Sequence, residues 1–332
     1  MDWFERITGF REGSWAETQR RLSVVEGRLH VDGASRGWRV GRLELPTLGE
    51  LRARVAQLQR ASAPLRVSVV QGDVRQLHAS EASAGALFQV ASQFNLLEMV
   101  GPDVTPEQGV TRYAFDRTQG PACAIAAGAG TILRNYLVEL PGGRGQTAGR
   151  QLDALDVLGA ALGNAGGRLW SMRNGYAMFT PEGLREVDER LAAASPARVD
   201  GARALLRIGL QHGVQVTDVA DREHIVSQAF CSALPVSYNR LDDGPWARIA
   251  TLVLEAAYEA TLLAGVLNTA HGGSAVVHLT RLGGGAFGND DAWITAAMRR
   301  AFALARGWGL DVRMVAYGAP GPHVQALLRE FG

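Results

Sequence analysis

Residues 274–298 constrain most strongly what this chain can fold into. Ser274-Ala275-Val276-Val277-His278-Leu279 reads as a buried strand, Thr280 to Asn289 as a glycine-rich loop, and Ala292 to Met298 as the first turns of a helix. Gly283, Gly284 and Gly285 are adjacent and Gly288 follows, so the backbone can turn its amides toward a guest without Cβ atoms in the way. A helix beginning near Asp290 or Asp291 adds a partial positive end. The pattern is that of a phosphate cradle; a tight turn ahead of a helix N-cap is the other reading.

The flanking sequence repeats the alternation of strands and helices. Leu65-Arg66-Val67-Ser68-Val69-Val70 is a β-branched, alternating strand ending in the polar turn Gln71-Gly72-Asp73-Val74, and Ala86 to Asn95 is a second strand that turns polar at its end. Residues 96–121 carry three prolines and oppose regular structure, which predicts a long loop. Ala122 to Leu140 reads as mostly helix, with Arg134, Asn135 and Tyr136 near its later turns. Leu152, Leu155, Leu158 and Leu162 mark another helix, and Trp170 to Phe179 a hairpin turning at Asn174-Gly175. Helices near 181–193 and 199–212, strands from 213 and 225, a long helix over 246–267, and a last strand over 310–318 complete the expectation. Glu255 and Glu259 lie four apart on that long helix and read as a solvated face.

Residues 1–63 read as an N-terminal extension packed on the main body, with short strands at 28–31 and 38–45 and a helix from Thr47 to Ala61. Residues 64–332 read as one α/β domain with a helical and hairpin insertion around 141–212. Strands alternating with helices favour a three-layer α/β/α sandwich with a mixed or parallel central sheet.

Composition narrows the function classes. A formal charge of +1 with no basic run interleaved with aromatics gives no reason to expect nucleic-acid binding. Apolar runs are interrupted by charge or glycine, so neither a membrane span nor membrane partnership is expected. Met1-Asp2-Trp3-Phe4-Glu5-Arg6 lacks a signal peptide's opening, which points to the cytosol, or to a host cytosol if the chain is delivered as an effector. Cys123 and Cys231 each sit in an apolar segment and read as small core residues; neither a disulfide nor a metal site is expected.

Three features in order along the chain resemble the macrodomain superfamily: the Gly72-Asp73-Val74 turn, the strand ending Ala91-Ser92-Gln93-Phe94-Asn95, and the loop Gly284-Gly285-Ala286-Phe287-Gly288-Asn289. The last is similar to the diphosphate loop of microbial poly(ADP-ribose) glycohydrolases. The family's triple-glycine catalytic loop is replaced by the acidic, proline-containing residues 96–120, and the glycohydrolase signature of a glutamine with two consecutive glutamates is missing. The whole looks closest to the divergent MavL-like group, which removes ADP-ribose from arginine, and the likeness covers residues 65–318.

The resemblance implies a fold and a ligand, ADP-ribose, with no further cofactor. Asp73, beside Val74, would accept from the adenine amino group, or else cap a turn. Gly283, Gly284, Gly285, Ala286, Phe287 and Gly288, followed by Asn289, would wrap the diphosphate and distal ribose, with Phe287 packing on a ribose or filling the core. Asn95 would approach that ribose, with Gln93 at the same strand mouth. Glu98, Asp103, Glu107 and Asp116 lie on the replacing loop. A bond from ribose C1″ to a guanidinium breaks through an oxocarbenium-like state that needs activated water, and guanidinium pairs best with a carboxylate. Two of the four acids would bind arginine while another deprotonates water, with Glu107 and Asp116 the first choices.

Three functions follow from the sequence. An ADP-ribosylhydrolase acting on an ADP-ribosylated protein comes first, and a reader that binds ADP-ribose without cleaving it second. A Rossmann-type oxidoreductase is weakest, because no Gly-x-Gly-x-x-Gly follows an N-terminal strand.

Overall fold

The computed structural model describes residues 1–33, 37–60, 63–219, 221–241 and 244–332. A seven-stranded mixed sheet forms its centre. In chain order the strands are β1 (Arg42–Glu44), β2 (Arg66–Gln71), β3 (Leu87–Ala91), β4 (Gly209–Gln215), β5 (Ile225–Cys231), β6 (Val276–Leu279) and β7 (Asp311–Ala316). Across the sheet the order is β1-β4-β5-β3-β6-β7-β2. The last five in that order pair in parallel, whereas β4 is antiparallel to both β1 and β5. Five strands therefore end along one edge, at Cys231, Ala91, Leu279, Ala316 and Gln71.

Central β3 is buried on both faces, as parallel strands covered by helices must be. Its neighbouring residues show the two layers. Gln89 donates to Thr261 on α4 (Ala247–Ala270) at 3.0 Å, and Phe88 stacks on His78 of α2 (Val74–Ala79). Helices α1 (Leu48–Val55), α4, α5 (Asp291–Ala305) and α6 (Pro322–Phe331) make one layer; α2 and α3 (Gln119–Ala126) lie in the other. The three-layer α/β/α sandwich with a mixed sheet is thus realised.

Helix α4 is long and apolar enough, by length and composition, to cross a membrane, and Glu255 and Glu259 interrupt its apolar run. It is the buried core helix of the sandwich, and its Glu259 corrects one expectation. Rather than facing solvent, that carboxylate is buried and takes Arg52 and Arg300, while Glu255 takes Arg203.

Residues 1–40 fold into two short helices and a three-stranded antiparallel sheet with a core of their own. That core is shared: Trp3, Phe4 and Trp38 bury with Leu97, Met99, Val110 and Tyr113 of the 96–116 loop and with Tyr136. Residues 42–55, inside the segment read as an extension, supply β1 and α1 to the main body. That helix ends at Val55, short of the expected end at Ala61, which itself lies outside the described residues.

Other boundaries moved. The helix placed at 199–212 is Pro196–Ala204, and from Gly209 the chain is strand, paired with β1 and β5; position 209 is glycine where a Cβ would collide with Leu96. The hairpin forms as expected, Trp170–Arg173 against Tyr176–Phe179, with Asn174 and Gly175 both at positive φ. The closing helix α6, opened by Pro322, was not anticipated.

Candidate active site

Ligands in open α/β sheets sit at the carboxyl ends of the strands, and this edge carries a groove made of two adjoining cavities. The inner one, about 200 Å³, is walled by Ser92 and Gln93 after β3, by Glu98, Asp116 and Gln119, by Tyr176 and Tyr238, and by the loop after β6. The outer one, about 380 Å³, is mainly apolar, with Val69, Val74, Met314 and Tyr317 on its walls. Gln119, Thr280 and Arg281 belong to both and form the waist.

The glycine loop is held from behind. The Tyr258 hydroxyl on α4 donates to the Thr280 carbonyl and accepts from the Leu282 amide, each at 2.8 Å, and Asn289 donates to the Leu234 carbonyl at 2.8 Å. Gly283 and Gly288 sit at φ 75° and 70°, and a Cβ at Gly288 would strike Ser237. Inside the loop, the amides of Gly284, Gly288 and Asn289 bond to Arg281, Gly285 and Gly283 carbonyls. Those of Gly283, Gly285, Ala286 and Phe287 have no acceptor among the described residues, and these four residues line the inner cavity. Unused backbone donors beside a cavity are what an anion-binding nest requires. Phe287 packs in an aromatic group with Tyr176 and Tyr238, at ring distances of 5.4 and 5.7 Å. Helix α5 starts at Asp291, and its N-cap Asp290 already takes the Ala292 amide.

Opposite stands Glu98. The chain reaches it through a tight turn with Leu96 at φ 62°, a strained conformation for a residue with a branched side chain. Gln93 accepts from the Met99 amide at 2.7 Å and Asn95 from the Leu97 amide at 3.1 Å, so the polar end of β3 braces that turn. Glu98 is only 2% exposed, and its Oε1 is buried without a hydrogen-bond partner. Burial pushes its carboxyl well above the usual carboxylate range; the Arg134 guanidinium pulls it down and Asp116 pushes it further up. A buried acid whose hold on its proton is strengthened in this way suits general acid chemistry. Asp116, half-buried, accepts from the Thr118 amide at 2.8 Å.

The structure brings Glu98, Asp116, Gln93, Gly283, Gly285, Ala286 and Phe287 around one cavity and Val74 to the adjoining one. Others among the sequence candidates occupy different positions. Glu107 is exposed and caps the Ala148 amide at 2.9 Å, and Asp103 pairs with Arg173 of the hairpin; neither lines the groove. Both acids are spent fixing the loop to its neighbours. Asn95 is fully buried and donates to Gln151 at 2.8 Å, Asn289 is a loop brace, and Asp73 caps α2 by accepting from the Arg75 amide at 2.8 Å.

Residues that sequence reading did not single out complete the walls. Gln119 accepts from the Ala91 amide and donates to the Gln89 carbonyl, at 2.9 and 2.8 Å, extending the sheet's hydrogen bonding at the mouth of β3. Tyr176 donates to the Met99 carbonyl at 2.6 Å. Only its place beside the Asn-Gly turn signalled Tyr176, and nothing in the sequence signalled Tyr238.

No family model matches the chain, and no curated protein matches it. Among solved structures it is similar to the poly(ADP-ribose) glycohydrolase of Thermomonospora curvata, at 17% identity over 96% of this chain and 97% of that one, with a TM-score of 0.47. The same enzyme bound to the inhibitor ADP-HPD gives 16%, 96%, 97% and 0.46. The poly(ADP-ribose) glycohydrolase of Deinococcus radiodurans in complex with ADP-ribose gives 11% identity over 97% of each chain and a TM-score of 0.45.

Proposed function

We propose that this chain is an ADP-ribosylhydrolase that cleaves the glycosidic bond between ADP-ribose and a protein side chain, with arginine as the favoured linkage. One observation carries the reading: a buried carboxyl with an unpartnered oxygen, Glu98, shares a cavity with four unused backbone amides at Gly283, Gly285, Ala286 and Phe287. The amides suit a diphosphate. The apolar outer cavity suits the adenosine end, beside the turn in which Asp73 caps α2.

In this reading the distal ribose lies between Phe287 and Glu98. As the bond from C1″ to the guanidino nitrogen breaks, protonated Glu98 gives its proton to that nitrogen, so arginine leaves as guanidinium. Water then attacks the oxocarbenium-like C1″, and the Glu98 carboxylate takes the proton that water releases, restoring the acid. Asp116 offers the cationic side chain a carboxylate partner at the rim, which aligns the chain with the MavL-like, arginine-directed group. Asp103 and Glu107 have no part in the reaction on this reading.

The test is direct: incubate the protein with arginine-, glutamate- and serine-linked ADP-ribosylated substrates and measure free ADP-ribose. Release from the arginine-linked substrate is expected, lost in Glu98→Gln. Binding of ADP-ribose without release from any substrate would instead mark a reader, and neither binding nor release would sink the proposal.

A further inference from the structure

Arg134 is completely buried, yet it makes no ion pair with any carboxylate among the described residues. Its Nε donates to the Leu96 carbonyl at 3.0 Å, Nη1 to Gln211 at 3.3 Å and Nη2 to Thr131 at 3.0 Å, and the guanidinium lies 3.7 Å from the centre of the Phe230 ring. Removing a lone cation from water is costly even after the surroundings relax. Such a residue is expensive for a purely structural strut.

The local backbone is equally unusual. Residues Leu133–Leu137 form a π-helical turn, closed by the Val138 amide donating to the Leu133 carbonyl at 2.8 Å. Such widened turns cluster at functional sites. Every side chain in the middle of this one reaches the loop that carries Glu98. Arg134 holds Leu96, the residue at φ 62°; Asn135 donates to the Pro106 carbonyl at 3.2 Å; Tyr136 donates to Glu12 at 2.6 Å, and Glu12 accepts from the Val110 and Thr111 amides at 2.8 Å.

We propose that Arg134 is a positioning residue for the reaction: it clamps the turn that presents Glu98 and supplies the buried positive charge against which that carboxyl releases and regains its proton. The inference rests on the role given to Glu98 under the proposed function. Both halves follow from placement. The bond to Leu96 O fixes the turn two residues before Glu98, and the charge acts on the carboxyl through protein interior, where fields are weakly screened. The other groups facing Glu98 are Tyr113 and Asp116 from its own loop, Cys123 from α3 and Tyr176 from the hairpin; Arg281 lines the same cavity from the glycine loop. Among the described residues Arg134 is the one cation acting on the carboxyl, and burial brings its own guanidinium down to about 10, still protonated at neutral pH.

The test follows the carboxyl itself, in the full chain. Protein labelled with carboxyl-13C glutamate is titrated by NMR, with Glu98 assigned by difference from Glu98→Gln, for wild type, Arg134→Met and Arg134→Lys. Losing the cation makes ionisation harder, so the Glu98 midpoint should rise by about one pH unit or more in Arg134→Met. In Arg134→Lys the charge stays and the midpoint should hold, while kcat falls roughly tenfold at unchanged KM because lysine lacks the planar fork that reaches Leu96. An unmoved midpoint in folded Arg134→Met overturns the inference. Should that variant not fold, an unchanged kcat in Arg134→Lys overturns it. Because the titration needs no turnover, a shifted midpoint in a protein that cleaves no substrate would refute the hydrolase reading while upholding the coupling of the two side chains.

Discussion

Gly120 lies directly against the Glu98 carboxyl: a Cβ at position 120 would collide with Glu98 Oε2 and with the Ala91 carbonyl. The start of α3 can approach the mouth of β3 only with glycine there. The space that the missing side chain leaves is where the carboxyl sits.

Alanine at Gly120 should therefore displace Glu98 rather than unfold the protein. Overpacking of this kind costs about 1–3 kcal/mol, and a misplaced acid should lower kcat about tenfold or more. Thermal unfolding and turnover of the arginine-linked substrate measure the two. Full activity in Gly120→Ala would show that the carboxyl does not need this seat.

Replacing Glu98 by glutamine should lower kcat by about 10²- to 10⁴-fold, the range of general acid–base contributions, with ADP-ribose affinity by calorimetry nearly unchanged. A stability signature accompanies it. The folded-state pKa lies above the unfolded value of 4.5, so the stabilisation it represents is present below pH 4.5 and lost as pH rises through the folded pKa. Glu98→Gln should consequently gain melting temperature relative to wild type as pH rises.

Asp116→Asn should separate linkages. A hydrogen bond to a charged partner is worth about 1.5–3 kcal/mol, so kcat/KM on the arginine-linked substrate should drop roughly ten- to hundredfold. Cleavage of a glutamate-linked substrate, if there is any, should not change. Equal losses on both would assign Asp116 to the loop's shape or to its effect on the Glu98 carboxyl instead of to arginine binding.

The glycine loop offers a paired test. Gly288→Ala forces a side chain into positive φ and into Ser237, whereas Gly285 has open space around its Cβ position and no such φ. Calorimetry should show ADP-ribose binding weakened about tenfold or more in Gly288→Ala and a smaller change in Gly285→Ala. Undiminished binding in both variants would remove the cradle.

Acid should unfold the protein through two histidines. His78 and His278 stack on opposite sides of Phe88, at ring distances of 3.6 and 4.3 Å, and burial lowers them from 6.5 to about 4 and about 3. A depressed folded pKa means stability that is present above pH 6.5 and lost as pH falls through the folded values. The pair should account for roughly 3 kcal/mol or more of acid destabilisation between pH 6.5 and 3, visible as a flatter denaturant-midpoint profile in His278→Phe.

Much of the architecture is legible in the chain because the signals are local. Alternating β-branched residues at 66–70, Asn174-Gly175 in the hairpin and the glycines after Leu279 act through steric preferences of their own backbone, and each of these elements forms where those preferences place it. Local patterns gave less warning where tertiary packing overrode them. Glu259 carries no mark of burial until Arg52 and Arg300 arrive from distant segments, and the helical reading of 205–212 yields to pairing with β1 and β5.

By itself, the sequence determined a strand, a glycine-rich loop and a helix in succession, with an acidic loop ahead of them. Tertiary structure alone decided which acid entered the cavity. Glu98, Asp103, Glu107 and Asp116 look equivalent along the chain, but the Leu96 turn, the glycine at 120 and the Arg134 clamp send Glu98 inward, while Ala148 and Arg173 engage Glu107 and Asp103 outside the groove. A carboxyl's chemistry depends on its solvation and on the charges around it, and those are supplied by residues far away in sequence.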